Sequence, residues 1–256
     1  MPSAAPPEPD TAWSAPPPVL TLRAGEVHLW RADLDGGGEE DVPRLALTLA
    51  PDERARAASF VFAPDRRRFT IGRAALRAVL ARYLEVEPEA VALGRTPEGR
   101  PTLLGAQAGA LAFSVSRSAG LALCAVTSGR AVGVDVERIM RGVAGDVTHD
   151  GVLSPAEIAA LRTLAPEARD RAFFAVWTRK EAYAKARGLG LALPFDGFSV
   201  STDPAAPALV AAADDDPARW TLRDVEAGAG YAGALAVEGP LERVQTWRWT
   251  LGLSGR

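Results

Sequence analysis

The chain has 256 residues, of which 48% are hydrophobic and 24% charged, an ordinary globular composition with enough mass for a sizeable core. Its formal net charge of −3, with no basic run longer than Arg66-Arg67-Arg68, argues against a nucleic acid or an anionic membrane as partner. The only cysteine, Cys124, excludes an intramolecular disulfide, and no run of about 18 apolar residues is available to span a membrane. A cytoplasmic protein is therefore expected.

The N-terminal third begins with residues 1–20, which are rich in proline and lack the basic start and apolar stretch of a signal peptide. A disordered extension is predicted there. Glu26 to Ala32 alternates between apolar and polar residues and predicts a first strand. Pro51 to Leu84 predicts two helices that carry many arginines, a local positive surface on which phosphate could bind. Arg77 and Arg82 are expected on the solvated face of the second helix.

The central stretch predicts two adjacent strands, Ala110 to Ser118 and Leu121 to Thr127, that lead into a third, Ala131 to Arg138. In this third strand valines alternate with Gly133, Asp135 and Glu137, so the two carboxylates project from the face opposite the valines. Carboxylates two residues apart can converge on one small hard cation. The alternative is a half-exposed strand with a wet, charged face.

A helix is predicted from Phe173 to about Arg187, with Gly188 as its stop. Glu181 and Lys185 lie on one side of it at i, i+4 spacing, and the simple alternative is an exposed ion pair of small value. Of the 29 basic residues only Lys180 and Lys185 are lysines. Because an ammonium group is a compact charge that differs chemically from a guanidinium fork, their position beside one glutamate favours a chemical site.

These segments resemble a known family. Gly133 to Glu137 (G-V-D-V-E), followed some forty residues later by Trp177 to Lys185 (W-T-R-K-E-A-Y-A-K), is similar to the paired signature of the Sfp-type 4'-phosphopantetheinyl transferases. Flanking stretches also match: R-T-P-E-G-R-P from Arg95, F-S-V-S-R-S from Phe113 and G-L-G-L-A-L-P-F-D-G-F-S-V from Gly188. The family usually has Ser-His where this chain has Ser116-Arg117.

The order of elements indicates an α+β fold. The resemblance implies two similar α/β halves related by a pseudo-twofold axis, with the active site in the cleft between them. The predicted division is therefore residues 1–20 as extension, residues 21–132 as N-terminal half with the coenzyme A-binding arginines, and residues 133–256 as C-terminal half with the metal-binding and catalytic acids. A monomer is expected.

The implied reaction moves the 4'-phosphopantetheine group of coenzyme A to a serine of an apo acyl, peptidyl or aryl carrier protein and releases adenosine 3',5'-bisphosphate. The resemblance makes Asp135, Glu137 and Glu181 ligands of Mg²⁺, and Glu181 and Lys185 catalytic. It assigns coenzyme A binding to a larger set: Arg56, Arg68, Arg95, Arg100, Ser116, Arg117 and Lys185. Two alternatives stay open at this point, a non-catalytic module that binds coenzyme A or a carrier protein, and a magnesium-dependent pyrophosphohydrolase that uses water instead of serine.

Overall fold

The structure is a computed structural model that describes residues 13–146 and 151–251. Residues 1–12 of the predicted extension, and His149 in the loop after the third strand, lie outside the described residues. The α-helices of the described part are α1 (Asp41–Ala46), α2 (Pro51–Ala58), α3 (Ala63–Leu84), α4 (Pro155–Arg162) and α5 (Pro166–Arg187). Its strands are β1 (Glu26–Asp33), β2 (Leu93–Arg95), β3 (Pro101–Leu103), β4 (Ala112–Ser118), β5 (Leu121–Thr127), β6 (Val132–Arg138), β7 (Phe198–Val200), β8 (Leu209–Ala212), β9 (Trp220–Asp224), β10 (Tyr231–Glu238) and β11 (Arg243–Trp249). This mixed α+β class agrees with the prediction. None of the helices in these two ranges is both long and apolar enough to cross a bilayer.

Two sheets dominate the fold, a four-stranded sheet in the order β11-β1-β5-β4 and a three-stranded sheet in the order β6-β10-β9. The last strand, β11, pairs parallel with β1 from Glu26 opposite Arg243 to Ala32 opposite Trp249. A strand edge needs a partner for its amide and carbonyl groups, and for β1 the C-terminal strand supplies it. The first sheet therefore takes a strand from beyond residue 132, where the sequence had placed the boundary between the halves.

The apolar residues form three layers around these sheets. Alternate residues of β1 and β5 point either toward α3 or toward the second sheet, as the two-residue period requires. The valines of β6 fill the space between the sheets together with Leu235 and Val237 of β10. The opposite faces of β6 and β10 lie against α5, whose Phe173, Val176 and Ala184 are buried as predicted.

Helix α5 lies directly on β6 because both elements present small residues at their contact. A Cβ atom added at Gly133 would lie 1.9 Å from the carbonyl oxygen of Ala182 and 2.5 Å from the amide nitrogen of Ala186. Only glycine permits this approach. The close contact brings the side chains on one face of α5 over the polar face of β6.

Two predictions differ from the structure. Residues 13–20 of the extension make specific contacts: the Trp13 indole donates to the Glu226 carbonyl (2.9 Å), and the Ser14 carbonyl accepts from the Arg248 amide (2.7 Å). The free edge of β11 explains this, since it offers backbone groups for pairing. Arg77 is not solvated but 2% exposed, because its Nε donates to the buried Glu53 carboxylate at 2.6 Å.

We expect Gly133→Ala to destabilise the protein severely, because the added methyl group would force α5 away from β6, and overpacking of this kind costs roughly 1–3 kcal/mol or more. Urea unfolding followed by circular dichroism measures the change in the free energy of unfolding. Gly197→Ala is the matched control, since its Cβ would meet only Pro194 Cβ at 3.6 Å. Equal stability of the two variants would contradict the close contact.

Candidate active site

A cavity of about 360 Å³ is lined by residues from both sides of residue 132. Its walls come from α3, β4, β6 and α5 and from the β2–β3 hairpin. The side chains around it are Phe69, Gly72, Arg73, Leu76, Arg95, Pro101, Val115, Ser116, Arg117, Asp135, Glu137, Glu181 and Lys185. The cavity therefore unites both predicted catalytic residues, all three predicted metal ligands and part of the predicted coenzyme A-binding set.

The polar end of the cavity is organised by Lys185. Its ammonium group lies 2.6 Å from Asp135 Oδ1 and 3.0 Å from Ser116 Oγ, and the Ser116 hydroxyl donates to the same Asp135 oxygen at 2.7 Å. The i, i+4 ion pair between Glu181 and Lys185 is thus not the main contact of this lysine. Since Asp135 is 1% exposed, the alternative of a half-exposed strand is wrong for this position.

The second oxygen of Asp135, Oδ2, is buried and has no hydrogen-bond partner within the described residues. Buried carboxylate oxygens are normally paired, and an unpaired one costs free energy. An oxygen-preferring cation such as Mg²⁺ would satisfy it, so the chemistry of this atom fits a metal ligand. Among residues 13–146 and 151–251, no three acidic, histidine or cysteine side chains stand close enough to enclose a metal ion as they are placed.

Glu137 and Glu181 line the same end of the cavity. Burial raises the pKa of Glu137, and the charge of Asp135 adds to this, whereas hydrogen bonds from Ser118 and Trp177 and the charge of Lys185 lower it. Burial also raises the pKa of Glu181, opposed by Lys185 and reinforced by Asp135 and Glu137. Three carboxyl groups with one ammonium group therefore leave an excess of negative charge that a cation would relieve.

Three arginines also line the cavity. Arg73 and Arg117 both approach the ring of Phe69, with Cζ atoms 5.9 Å and 5.5 Å from its centroid. Arg95, which donates to the Gly99 carbonyl at 2.8 Å, completes this group. In the described part of the chain neither Arg95 nor Arg117 has an acidic partner within ion-pair distance. Guanidinium groups without counterions favour a phosphate guest.

The remaining predicted coenzyme A contacts are distributed around the cavity. Arg56 lines an adjoining cavity of about 500 Å³ that shares Arg73 and Arg95 with the first. Arg100 donates to the Lys185 carbonyl at 3.3 Å and lines a third cavity beside Glu181. Arg68 does not face these cavities, because a bidentate ion pair at 2.6 and 2.8 Å holds it to Asp35.

Sequence reasoning missed two kinds of residue at this site. Arg73 was one arginine among many, and only the tertiary structure selects it. Ser114 and Ser118 flank Ser116 at two-residue spacing: Ser114 Oγ accepts from the Val134 amide at 3.1 Å, and Ser118 Oγ accepts from the Arg138 amide at 3.0 Å and donates to Glu137. The alternation of serines in F-S-V-S-R-S was a usable signal, since it predicts a polar face of one strand.

Of the two lysines, only Lys185 belongs to the site. Lys180 is 0% exposed, and its ammonium group donates to both oxygens of Glu157 (3.0 and 2.8 Å) and to the Phe198 carbonyl (2.6 Å). Its role is to join α4, α5 and β7 in the interior. The expectation that both lysines lie at a chemical site is therefore wrong for Lys180, whereas Lys185 lines the cavity.

Carboxylates, an ammonium group and guanidinium groups around one cavity are the groups that an enzyme acting on a phosphate compound would use. Comparisons with known proteins agree with this class. The 4'-phosphopantetheinyl transferase superfamily model matches residues 131–236, and the 4'-phosphopantetheinyl transferase N-terminal model matches residues 39–128.

Relatives with assigned names share this match. The 4'-phosphopantetheinyl transferase HetI of Nostoc sp. is 40% identical over 230 residues, which cover 89% of this chain and 94% of the relative. A 4'-phosphopantetheinyl transferase of Bacillus subtilis is 29% identical over 163 residues, 64% of this chain and 70% of the relative. The transferase Sfp of Bacillus subtilis strain 168 is 24% identical over 162 residues, 63% and 70% of the two chains. The chain therefore belongs to the 4'-phosphopantetheinyl transferase superfamily and is an enzyme of that class, which confirms the predicted family and activity.

We expect Glu181→Gln to raise the melting temperature in the absence of divalent cations. The pKa of Glu181 is raised in the folded state, so its charged form opposes folding and stability falls as pH rises through that pKa. Removing the charge should help most at pH 7–8, and the gain should shrink as pH approaches the ordinary range of a carboxyl group near 4. Differential scanning fluorimetry in EDTA across pH measures this, and a melting temperature below that of the wild type at pH 8 would contradict the excess of negative charge.

Proposed function

We propose that this enzyme takes the 4'-phosphopantetheine group from coenzyme A, transfers it to a serine of an apo carrier protein in the presence of Mg²⁺, and releases adenosine 3',5'-bisphosphate. The observation that supports this best is that one cavity is lined both by Asp135, Glu181 and Lys185 and by the arginines Arg95 and Arg117, which have no acidic partner among the described residues. Coenzyme A carries a pyrophosphate and a separate phosphate on its ribose. Lys185 with Mg²⁺ could bind one of these groups, and the arginines of the cavity could bind the other.

The metal-binding residues in this proposal are Asp135, Glu137 and Glu181. The unpaired Oδ2 of Asp135 and the raised pKa values of both glutamates support their assignment. Bound there, Mg²⁺ would supply neutralisation of the pyrophosphate oxygens of coenzyme A. Lys185, whose ammonium group contacts Asp135 and Ser116, would place its positive charge beside the same oxygens.

Proton transfer falls to Glu181. The attacking serine hydroxyl of the carrier must lose its proton as its oxygen forms a bond to the phosphorus attached to the pantetheine arm. The bond from that phosphorus to the bridging pyrophosphate oxygen breaks, and the electron pair leaves with adenosine 3',5'-bisphosphate. A carboxylate with a raised pKa is a better base than an ordinary one, so burial of Glu181 favours this role directly or through a water molecule.

In this proposal coenzyme A is bound by Arg56, Arg95, Arg100, Ser116, Arg117 and Lys185. Arg68 would contribute only after its ion pair with Asp35 is broken. We also propose that the chain has two halves related by a pseudo-twofold axis, with the active site in the cleft between them. Its support is that the cavity takes walls from both sides of residue 132. Action as a monomer in the cytoplasm belongs to the proposal as well.

One experiment separates this function from its two alternatives. The protein is mixed with coenzyme A, Mg²⁺ and an apo acyl carrier protein, and the carrier is weighed by intact mass spectrometry, with EDTA and a carrier whose acceptor serine is replaced by alanine as controls. A mass increase of one phosphopantetheine group, lost in both controls, supports the transferase. Hydrolysis of coenzyme A without carrier modification would favour the pyrophosphohydrolase, and no turnover with tight binding would favour the binding module.

Replacing Lys185 by Arg should lower kcat by about tenfold or more, although the charge is kept. The ammonium group fits between Asp135 and Ser116 at 2.6 and 3.0 Å, and a planar guanidinium fork cannot occupy that point. Steady-state kinetics with saturating carrier measures the effect. Wild-type turnover would contradict this role and would leave Lys185 only its ion pair with Asp135.

Arg117→Ala should raise the KM for coenzyme A while changing the KM for the carrier less, because Arg117 lines the cavity. Arg117→His should restore coenzyme A binding better at pH 6 than at pH 8, since an unperturbed histidine loses its charge near pH 6.5. Arginine does not titrate in this range, so the wild type should show no such dependence from this residue. An alanine variant with the wild-type KM for coenzyme A would favour the alternative that Arg117 turns into solvent.

A further inference from the structure

A further cavity of about 350 Å³ lies at the other edge of the first sheet. The active-site cavity takes wall residues from β4, at one end of the strand order β11-β1-β5-β4, whereas β1 and β11 line this one. Its wall consists of Arg31 and Asp33 of β1, Arg248 and Trp249 of β11, and residues that directly follow each strand. None of its residues lines the active-site cavity or the two cavities beside it. This β1–β11 cavity is therefore separate from the site described above.

Two arginines lie side by side in the wall of the β1–β11 cavity. The parallel register of the two strands places Arg31 directly opposite Arg248. Opposite residues of neighbouring strands project from the same face, and the strands are only about 4.8 Å apart, so the two positive side chains begin close together. In residues 13–146 and 151–251 neither arginine forms an ion pair with an acidic side chain. Like charges so placed repel each other, and an anion between them would relieve the repulsion.

Buried hydrogen-bond donors in this wall lack acceptors. Arg31 is half-buried, and its Nε is shielded from solvent without a partner among the described residues. Trp249 is 5% exposed, and its indole Nε1 is likewise buried and unpaired within the described chain. A buried donor without an acceptor costs free energy, and more so when the donor is charged. The wall therefore favours a guest that brings acceptor oxygens.

The turn after β1 adds a backbone donor to the same wall. Arg67 donates to the carbonyl groups of Gly36 and Gly37 at 2.6 and 2.8 Å, so these oxygens are already occupied. The Gly37 amide, in contrast, donates to no acceptor within the described residues. A Cβ atom added at Gly37 would lie 2.0 Å from Leu251 Cδ1, so the chain after β11 packs directly on this turn. Backbone amides in turns are common donors to bound anions.

One acidic side chain, Asp33, lines the β1–β11 cavity in the described part of the chain. Its Oδ1 accepts from the amides of Asp35 and Gly36 at 3.0 and 3.1 Å, so this carboxylate is engaged by its own turn. It forms no ion pair with Arg31 or Arg248 in the described structure. Two positive groups and one negative group leave the cavity with an excess of positive charge.

From this geometry we infer that Arg31, Arg248 and the Gly37 amide form a second anion-binding site, which takes a small organic phosphate monoester. A phosphate group presents several acceptor oxygens to donors that come from two strands and a turn. The volume of about 350 Å³ lies in the range of small-molecule sites, and Trp249 and Leu251 supply an apolar wall for the organic part. The inference goes beyond the proposed function, because the site neither contains a catalytic residue nor requires coenzyme A.

Differential scanning fluorimetry with phenyl phosphate, inorganic phosphate and benzoate, all at equal ionic strength, tests the inference. A ligand that binds the folded protein raises the melting temperature as its concentration rises, and this dependence gives its apparent affinity. For the wild type we expect phenyl phosphate to bind more tightly than either inorganic phosphate or benzoate. Binding of a probe to the active-site arginines is common to the wild type and to variants of the β1–β11 cavity, so the difference between these proteins isolates the second site.

Arg31→Gln and Arg248→Gln should each lower the affinity for phenyl phosphate about tenfold, the loss of one charge-assisted contact. Without a probe, Arg31→Gln should melt at or above the wild-type temperature, because it removes the repulsion between the two arginines. Arg243→Gln is the matched control: it removes the same charge from an exposed position of β11 that lines none of these cavities, and it should leave the affinity unchanged. Asp33→Asn should raise the affinity about twofold or more, since it removes a negative charge and keeps an oxygen for the two amides.

The outcomes separate this site from the transferase reaction. An unchanged affinity for phenyl phosphate in both arginine variants, or an equal loss in Arg243→Gln, would overturn the site. Benzoate or inorganic phosphate bound as tightly as phenyl phosphate would overturn the assignment of an organic phosphate. Modification of the apo carrier should proceed at the wild-type rate in Arg31→Gln and Arg248→Gln, so failure of either proposal leaves the other standing.

Discussion

The site depends on a contact between two strands that is made by serine hydroxyl groups instead of backbone-to-backbone hydrogen bonds. Strands β4 and β6 belong to different sheets, and Ser114, Ser116 and Ser118 connect them. A hydroxyl group can accept from a backbone amide and donate to a carboxylate at the same time. Each sheet keeps its own register, and the contact still orients Asp135 and Glu137 toward the cavity.

Close packing of α5 against β6 also positions the residues of the site. Gly133 allows the helix backbone to lie on β6, and the same contact brings Lys185 to Asp135. Burial then makes this end of the cavity electrostatically costly, as the raised pKa values of Glu137 and Glu181 indicate. Groups with perturbed pKa values are enriched at functional sites, which agrees with the proposed role of this cavity.

The positive residues divide into two groups with opposite roles. Arg77, Arg179 and Lys180 are buried and hydrogen-bonded, and they hold helices to their neighbours. Arg73, Arg95 and Arg117 converge on a cavity instead. In the sequence these residues are alike, and Arg179, Lys180 and Glu181 even follow one another. Helical geometry sends each in a different direction, so that neighbours in sequence serve the interior and the site respectively.

The sequence by itself predicted β1, β4, β5, β6, the two helices of residues 51–84 and α5, and it proposed the acidic residues of the site. Period-two valines identified β6, and Gly188 marked the end of α5, whose start at Pro166 lies before the predicted start at Phe173. These local patterns, together with the scarcity of lysine, pointed to Asp135, Glu137, Glu181 and Lys185. Only the tertiary structure decided the rest: the return of β11 to β1, the burial of Asp135 and Arg77, and the choice of Arg73 over its neighbours on α3. Those outcomes depend on contacts between residues far apart in the chain, and such contacts leave no periodic trace in any single segment.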